Sequence, residues 1–316
     1  MAGAVIIKLV CQANPAIGVK PLFRTRKWRE VCKKNMKALS SLLILAFIGF
    51  SASAKDPVYQ GSTPAHPDVK DFLGIPVADS IDFIRWHVVM YSNRYELDCR
   101  YGISRAGTNG FTDEKKAVFS GPLSKQNNYY LLRHGNKDFY VLEINPNLLH
   151  LLDKNKALLV GNGGYSYALN TDTPIKTDQF NFPPRQIQAG NSMAFQGRTP
   201  CQELARIMGL DKTAACNKMK WYVILYLDSI TGKPSYYLKG GRGYKKATMA
   251  RGNWEITRGK DGRVIYKLDP EKKTAAVCLV KAGDTILFFT DPDGNLLVGN
   301  EDFSYTLNRV NDREPQ

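Results

Sequence analysis

The chain repeats itself once. Leu158-Leu159-Val160-Gly161-Asn162 returns as Leu296-Leu297-Val298-Gly299-Asn300, and Tyr165-Ser166-Tyr167-Ala168-Leu169-Asn170 returns as Phe303-Ser304-Tyr305-Thr306-Leu307-Asn308. Upstream, Leu148-Leu149-His150-Leu151-Leu152-Asp153 matches Ile286-Leu287-Phe288-Phe289-Thr290-Asp291, and Trp86-His87-Val88-Val89-Met90-Tyr91 matches Trp221-Tyr222-Val223-Ile224-Leu225-Tyr226. The offset is 135 residues at the front and 138 at the back. An ordered series of matches at nearly constant offset is a tandem duplication. Two long units mean paired domains, because a solenoid needs at least three short ones.

Each unit reads as β. In the second, short runs rich in Val, Ile, Tyr and Phe cover 220–227, 235–239, 249–257, 263–268, 275–280, 285–290, 296–299 and 303–309. Thr231-Gly232, Gly259 to Gly262, Asp269-Pro270, Ala282-Gly283 and Asp293-Gly294-Asn295 punctuate them. Strands at this spacing suggest a sandwich or a meandering barrel, and about eight strands close into a barrel just wide enough for side chains or one small ligand. The first unit follows the same order more loosely from Arg85 to Asn170. A short helix is expected ahead of each barrel. Thr199 as N-cap, Pro200 and a closing Gly209 mark the second, and His66-Pro67 with Gly74 mark the first.

The N-terminal end is excluded from this fold. From Met36 the chain runs through Lys37 into the apolar stretch Leu42 to Phe50 and then Ala52-Ser53-Ala54, the layout of a secretory signal peptide. The apolar run is shorter than the roughly 20 residues of a membrane span. Residues 1–54 are therefore assigned to a signal peptide with Met36 as the true start and cleavage after Ala54. No membrane anchor is expected after cleavage. The whole chain of 316 residues has a net charge of +15. Removing residues 1–54 takes away nine basic residues and one glutamate, leaving 35 basic and 28 acidic residues and a net of +7. That moderate excess in an exported protein does not point to nucleic acid, which is discarded as a partner. The remaining layout is a lead-in at 55–81, a first barrel repeat at 82–170, a linker at 171–198, a second repeat at 199–310 and a tail at 311–316.

The mature part has four cysteines, Cys99, Cys201, Cys216 and Cys278, which allow three pairings. Cys201 and Cys216 bracket the second helix and are the favoured disulfide; their spacing is not that of a C-x-x-C redox or metal pair. Cys99 and Cys278 lie in apolar strands and read as small buried hydrophobes. All four histidines, His66, His87, His134 and His150, fall in the first half. His87, Met90 and His150 could in principle supply a copper-type ligand set. Their counterparts Tyr222 and Phe288 instead mark His87 and His150 as strand positions. Asp291-Pro292-Asp293-Gly294-Asn295 with Asp302 resembles the start of a calcium loop, but Leu296 and Asp302 stand where an EF-hand needs Gly and Glu. A hairpin turn accounts for Asp293-Gly294. No metal and no other cofactor is expected.

Gly240-Gly241-Arg242-Gly243 lacks the strand-then-helix context of a phosphate cradle. With Lys245 and Lys246, Arg242 still forms the densest basic cluster and is the candidate patch for an anionic ligand. Neither a G-x-S-x-G elbow nor a nucleophile–histidine–acid spacing is present, and an enzyme is not expected. Trp86, Trp221 and Trp254 are candidate barrel aromatics, for which core packing is the leading reading.

Gly197-Arg198-Thr199-Pro200-Cys201, the strand Trp221 to Leu227, Gly252-Asn253-Trp254-Glu255-Ile256 and the closing Leu287 to Leu307 together resemble the barrel module of NlpE-type envelope lipoproteins, linked to copper tolerance and surface stress sensing. The resemblance implies a small lipocalin-like barrel. Two of the family's features are missing: Cys201 is followed by Gln202, Glu203 and Leu204 rather than by a second cysteine, and no lipid-attachment cysteine follows the signal. Copper binding and lipid anchoring are therefore not carried over. The expectation is an all-β chain of two tandem lipocalin-like antiparallel barrels, each preceded by a short helix. It would be periplasmic or secreted and serve in envelope binding or stress sensing, with a small apolar or glycan ligand; the alternative is a protein that docks on an envelope protein with no small ligand, and the third reading is a hydrolase.

Overall fold

In the computed structural model, residues 56–183, 192–210, 216–240, 249–259, 261–272 and 276–310 are described. The expected signal peptide, the 311–316 tail and the candidate patch of Arg242, Lys245 and Lys246 lie outside them. Sixteen strands form two closed barrels in tandem, and every neighbouring pair is antiparallel.

The first barrel is a meander of β1 (Val58–Thr63), β2 (Phe83–Met90), β3 (Arg94–Gly102), β4 (Lys115–Gln126), β5 (Tyr129–His134), β6 (Lys137–Asn145), β7 (Leu148–Leu151) and β8 (Ala168–Thr171). It closes through Tyr59 opposite Thr171 and Gln60 opposite Asn170. The second runs β9 (Ser192–Thr199), β10 (Met219–Leu227), β11 (Pro234–Gly240), β12 (Ala250–Arg258), β13 (Val264–Leu268), β14 (Val277–Ala282), β15 (Ile286–Thr290) and β16 (Thr306–Val310). It closes through Asn308 opposite Gln196.

Both barrels take in more chain than the repeat suggested. β1 comes from the segment expected as a lead-in and β9 from the expected linker. Each closing strand carries a glycine that serves a close approach. A Cβ at Gly61 would stand 2.8 Å from the Ala168 carbonyl oxygen, and one at Gly197 would stand 2.5 Å from that of Thr306. Only glycine lets the last strand of each barrel cross so near the first. Conversely, residues 296–299 form no strand: Leu296 makes a single bridge to Thr290, and the chain then turns outward.

Two short helices sit between the first and second strands of their barrels, not ahead of them. Helix α1 (Pro67–Phe72) starts as expected, with His66 as N-cap accepting from the Asp68 amide at 3.2 Å. Helix α2 (Gln202–Ile207) starts later than expected: Thr199 belongs to β9, and Cys201 is the N-cap. Gly74 and Gly209 close them with positive φ, and the next amides, of Ile75 and Leu210, reach back to Lys70 and Ala205. This is the Schellman pattern that a C-terminal glycine permits. Phe72 of α1 packs into the first barrel, stacked on Phe139 at 4.9 Å, and Leu204 of α2 joins the core of the second. The Cys201–Cys216 disulfide ties the start of α2 to the approach to β10. Among the described residues no helix is long and apolar enough to cross a membrane.

Candidate functional site

Strand alternation decides what each barrel can hold. Inward residues of the first barrel, among them Tyr59, Trp86, Met90, Tyr95, Leu97 and Phe139, form one buried cluster drawn from all eight strands except the strongly exposed parts of β4. Phe195, Trp221, Tyr237, Trp254, Tyr266 and Phe289 head the equivalent cluster in the second. The lumens are thus packed with side chains. The three tryptophans are part of that packing, with their N–H groups satisfied. Trp86 Nε1 donates to Thr63 Oγ1 and Trp221 Nε1 to Thr199 Oγ1, each at 2.9 Å, while Trp254 donates to the Tyr226 carbonyl at 3.1 Å. Cys99 is fully buried in the first lumen, and burial pushes its thiol pKa up.

The barrels join through a seam built from the repeated motif. The amide of Gly161 donates to Asn308 Oδ1 and that of Gly299 to Asn170 Oδ1, both at 2.8 Å. Ser166 and Ser304 meet hydroxyl to hydroxyl. Asn162 Oδ1 accepts from Gly164 and Tyr165, and Asn300 Oδ1 accepts from Asp302 and Phe303, so each motif ends in the same side-chain-capped turn. Reciprocal contacts of this kind define an isologous interface, here within one chain. Leu142, Ile144, Leu148 and Ala168 of the first barrel pack there with Val280, Ala282, Ile286 and Phe288 of the second. At one edge of the seam four rings stack in series, Phe111 on Phe83 (4.2 Å), Phe83 on Tyr165 (4.7 Å) and Tyr165 on Phe303 (6.0 Å). Arg85 pairs with Asp302 beside them.

The residues weighed for metal binding do not converge. His87 is exposed on the outer face of β2, Met90 points into the lumen, and His150 is fully buried in the seam with its ring 6.2 Å from Phe288. Burial holds His150 down at about 4, against a weaker opposing hydrogen bond between Nδ1 and the Leu151 carbonyl. In the 291–295 turn, Asp291 spends both carboxylate oxygens on Asn295, accepting from its amide at 2.8 Å and its side chain at 2.9 Å. Among the described residues no group of three or more His, Cys, Asp and Glu is placed to hold a metal ion.

Concave surface remains outside the barrels. One groove of about 360 Å³ runs over β1 to β4 beside the 299–303 turn and is lined by Gln60, His87, Asp98, Arg100, Lys116 and Glu301. A second, of about 430 Å³, lies beside the seam between the β4–β5 turn and residues 179–182. Its floor is Glu143 of β6, a buried carboxylate within the apolar run Phe139 to Ile144. Glu143 Oε2 accepts from Lys125 Nζ and, at 2.7 Å, from the Tyr130 hydroxyl. Burial, reinforced by that bond, raises the Tyr130 pKa, so the phenol stays protonated and donates. Asn127 and Asn128 form the turn at one wall, and Gln179, Asn181 and Phe182 form the other. Sequence reasoning missed this cleft entirely. Its one advance signal was a glutamate inside Val141-Leu142-Glu143-Ile144.

Compared with known proteins, the chain matches no family model, no curated protein and no solved structure.

Proposed function

We propose that this is an exported envelope protein that works by binding, without turnover, and that it binds on the outer surface of the fused barrel pair and not in the lumens. The observation that carries the reading is the filling of both barrels by aromatic and aliphatic side chains drawn from nearly every strand. Protein interiors packed in this way leave no room for a guest without displacing side chains. The signal-like layout of residues 36–54 and the likeness to NlpE-type modules support the envelope assignment, and the oxidised Cys201–Cys216 pair is consistent with an oxidising compartment. A binding role is supported by the state of Glu143, a buried carboxylate in a cleft. Glu143 is neutralised by Lys125 and held by Tyr130, an arrangement suited to fixed hydrogen bonding more than to proton transfer.

The test is native mass spectrometry on protein recovered from an oxidising compartment, beside its denatured mass. The expected result is a chain beginning at Lys55, lighter by two hydrogens than its reduced form, with no tightly held guest. A retained apolar molecule released only on unfolding would place binding in a lumen and overturn the reading.

A further inference from the structure

We propose that the cleft between the β4–β5 turn and residues 179–182 binds a short uncharged saccharide. This rests on the reading that binding occurs on the outer surface. It begins with charge. Among the described residues, the two charged side chains lining the cleft, Lys125 and Glu143, are paired with each other. A charged ligand finds no unpaired counter-charge among these residues, whereas a neutral ligand needs none.

The remaining polar lining is amide. Asn127, Asn128, Gln179 and Asn181 each present a donor and an acceptor in one plane, the pattern that matches a hydroxyl, itself both donor and acceptor. Asn181 is held in place from behind: its amide nitrogen donates to the Ile144 carbonyl at 2.7 Å and its Nδ2 to the Glu143 carbonyl at 2.8 Å. Glu143 Oε1 accepts no hydrogen bond from the described residues, which leaves one carboxylate oxygen for a ligand hydroxyl.

The cleft also has an aromatic wall. Phe182 is 50% exposed, unusual for a ring this size. It packs edge-on against Phe180 at 5.1 Å, and Phe180 is buried among the seam residues under the Arg263 guanidinium. An exposed ring in the same cleft as a row of amides suits a ligand with an apolar C–H face and hydroxyls at its rim. The volume of about 430 Å³ falls within the range of small-molecule sites.

The experiment titrates the full mature chain with N,N′-diacetylchitobiose and with maltose, following amide NMR shifts, with glucose 1-phosphate as the anionic comparison. Saturable shifts confined to residues around 125–128, 143 and 179–182, with at least one neutral sugar preferred over the phosphate, are expected. Phe182→Ala should weaken that binding about fivefold by removing the stacking ring. Gln179→Ala, at an exposed position, should weaken it without any effect on folding. No saturable shifts with either neutral sugar, equal or tighter binding of glucose 1-phosphate, or binding undiminished in both variants would overturn the saccharide inference. Shifts centred on Trp86 or Trp221 would instead show lumen binding and overturn the surface-binding reading as well.

Discussion

Ser166 and Ser304, 138 positions apart, meet hydroxyl to hydroxyl on the local two-fold of the seam. On either side of them the Gly161–Asn308 and Gly299–Asn170 bonds repeat the same contact in opposite directions. The most similar stretch of the two repeats is therefore the surface each barrel offers to the other. Duplication conserves what both copies must do at once, and here that is mutual recognition.

The seam asparagines should be costly to remove. Asn170 and Asn308 are buried, and each satisfies a glycine amide of the other barrel. Asn170→Ala or Asn308→Ala leaves that amide without its partner, at about 1–3 kcal/mol each. The two sites serve separate bonds, so the double variant should lose close to the sum. Urea unfolding of the three variants measures this. A loss confined to one of the two single variants would show that the seam is not reciprocal in energy.

Thr63 and Thr199 hold matching places in the two barrels, each accepting from the indole of a lumen tryptophan. Thr63→Val and Thr199→Val preserve shape and remove the acceptor, stranding a buried N–H. Each should destabilise by about 1–3 kcal/mol. Near equality of the two costs is expected because both threonines are fully buried. Thermal unfolding of each variant against the parent gives the comparison.

How much of this was legible in advance follows from how far apart the partners lie in sequence. Short β-rich runs and the turn residues between them were enough to reveal the strands, in a sandwich or a barrel, because β10 or β13 is declared locally; closure rests on strand pairs far apart in sequence. The closing strands were not legible, because the close approach that Gly61 and Gly197 serve exists only once the neighbouring strand is in place. Residues 296–299 misled in the opposite sense: Leu296 packs in the seam and Leu297 against the second lumen, without forming a barrel strand. The cleft was illegible for the same reason, since Lys125, Glu143 and Phe182 come from three separate segments. The Cys201–Cys216 pairing followed from its position around α2.

That disulfide encloses a loop with a sequence separation of 15. Restricting the unfolded chain over such a loop stabilises by about 3 kcal/mol. Cys201→Ser with Cys216→Ser should lower stability by that order. Reductant should do the same to the parent and nothing to the variant, as followed by thermal unfolding with and without reductant. A parent indifferent to reductant would mean that the packing of α2, through Leu204 and Ile207, holds the segment unaided.

His150 gives the chain an acid sensitivity whose sign is fixed by burial. Its ring lies fully buried in the seam, Nε2 has no partner among the described residues, and desolvation lowers its pKa from 6.5 to about 4. Above pH 6.5 the ring is neutral whether the chain is folded or not, and its contribution is constant. Between 6.5 and 4 the unfolded chain takes up a proton that the folded one refuses, so stability falls with pH, and below 4 this contribution levels off. The total is about 3 kcal/mol from the size of that shift. His150→Phe, which installs the residue found at the equivalent position 288, removes the titrating ring while keeping an aromatic ring at the seam. The parent should lose about 3 kcal/mol more than this variant between pH 7 and pH 4 in urea unfolding. Parallel pH profiles for the two proteins would mean that His150 is hydrated in the folded chain and that the seam is wetter than its packing indicates.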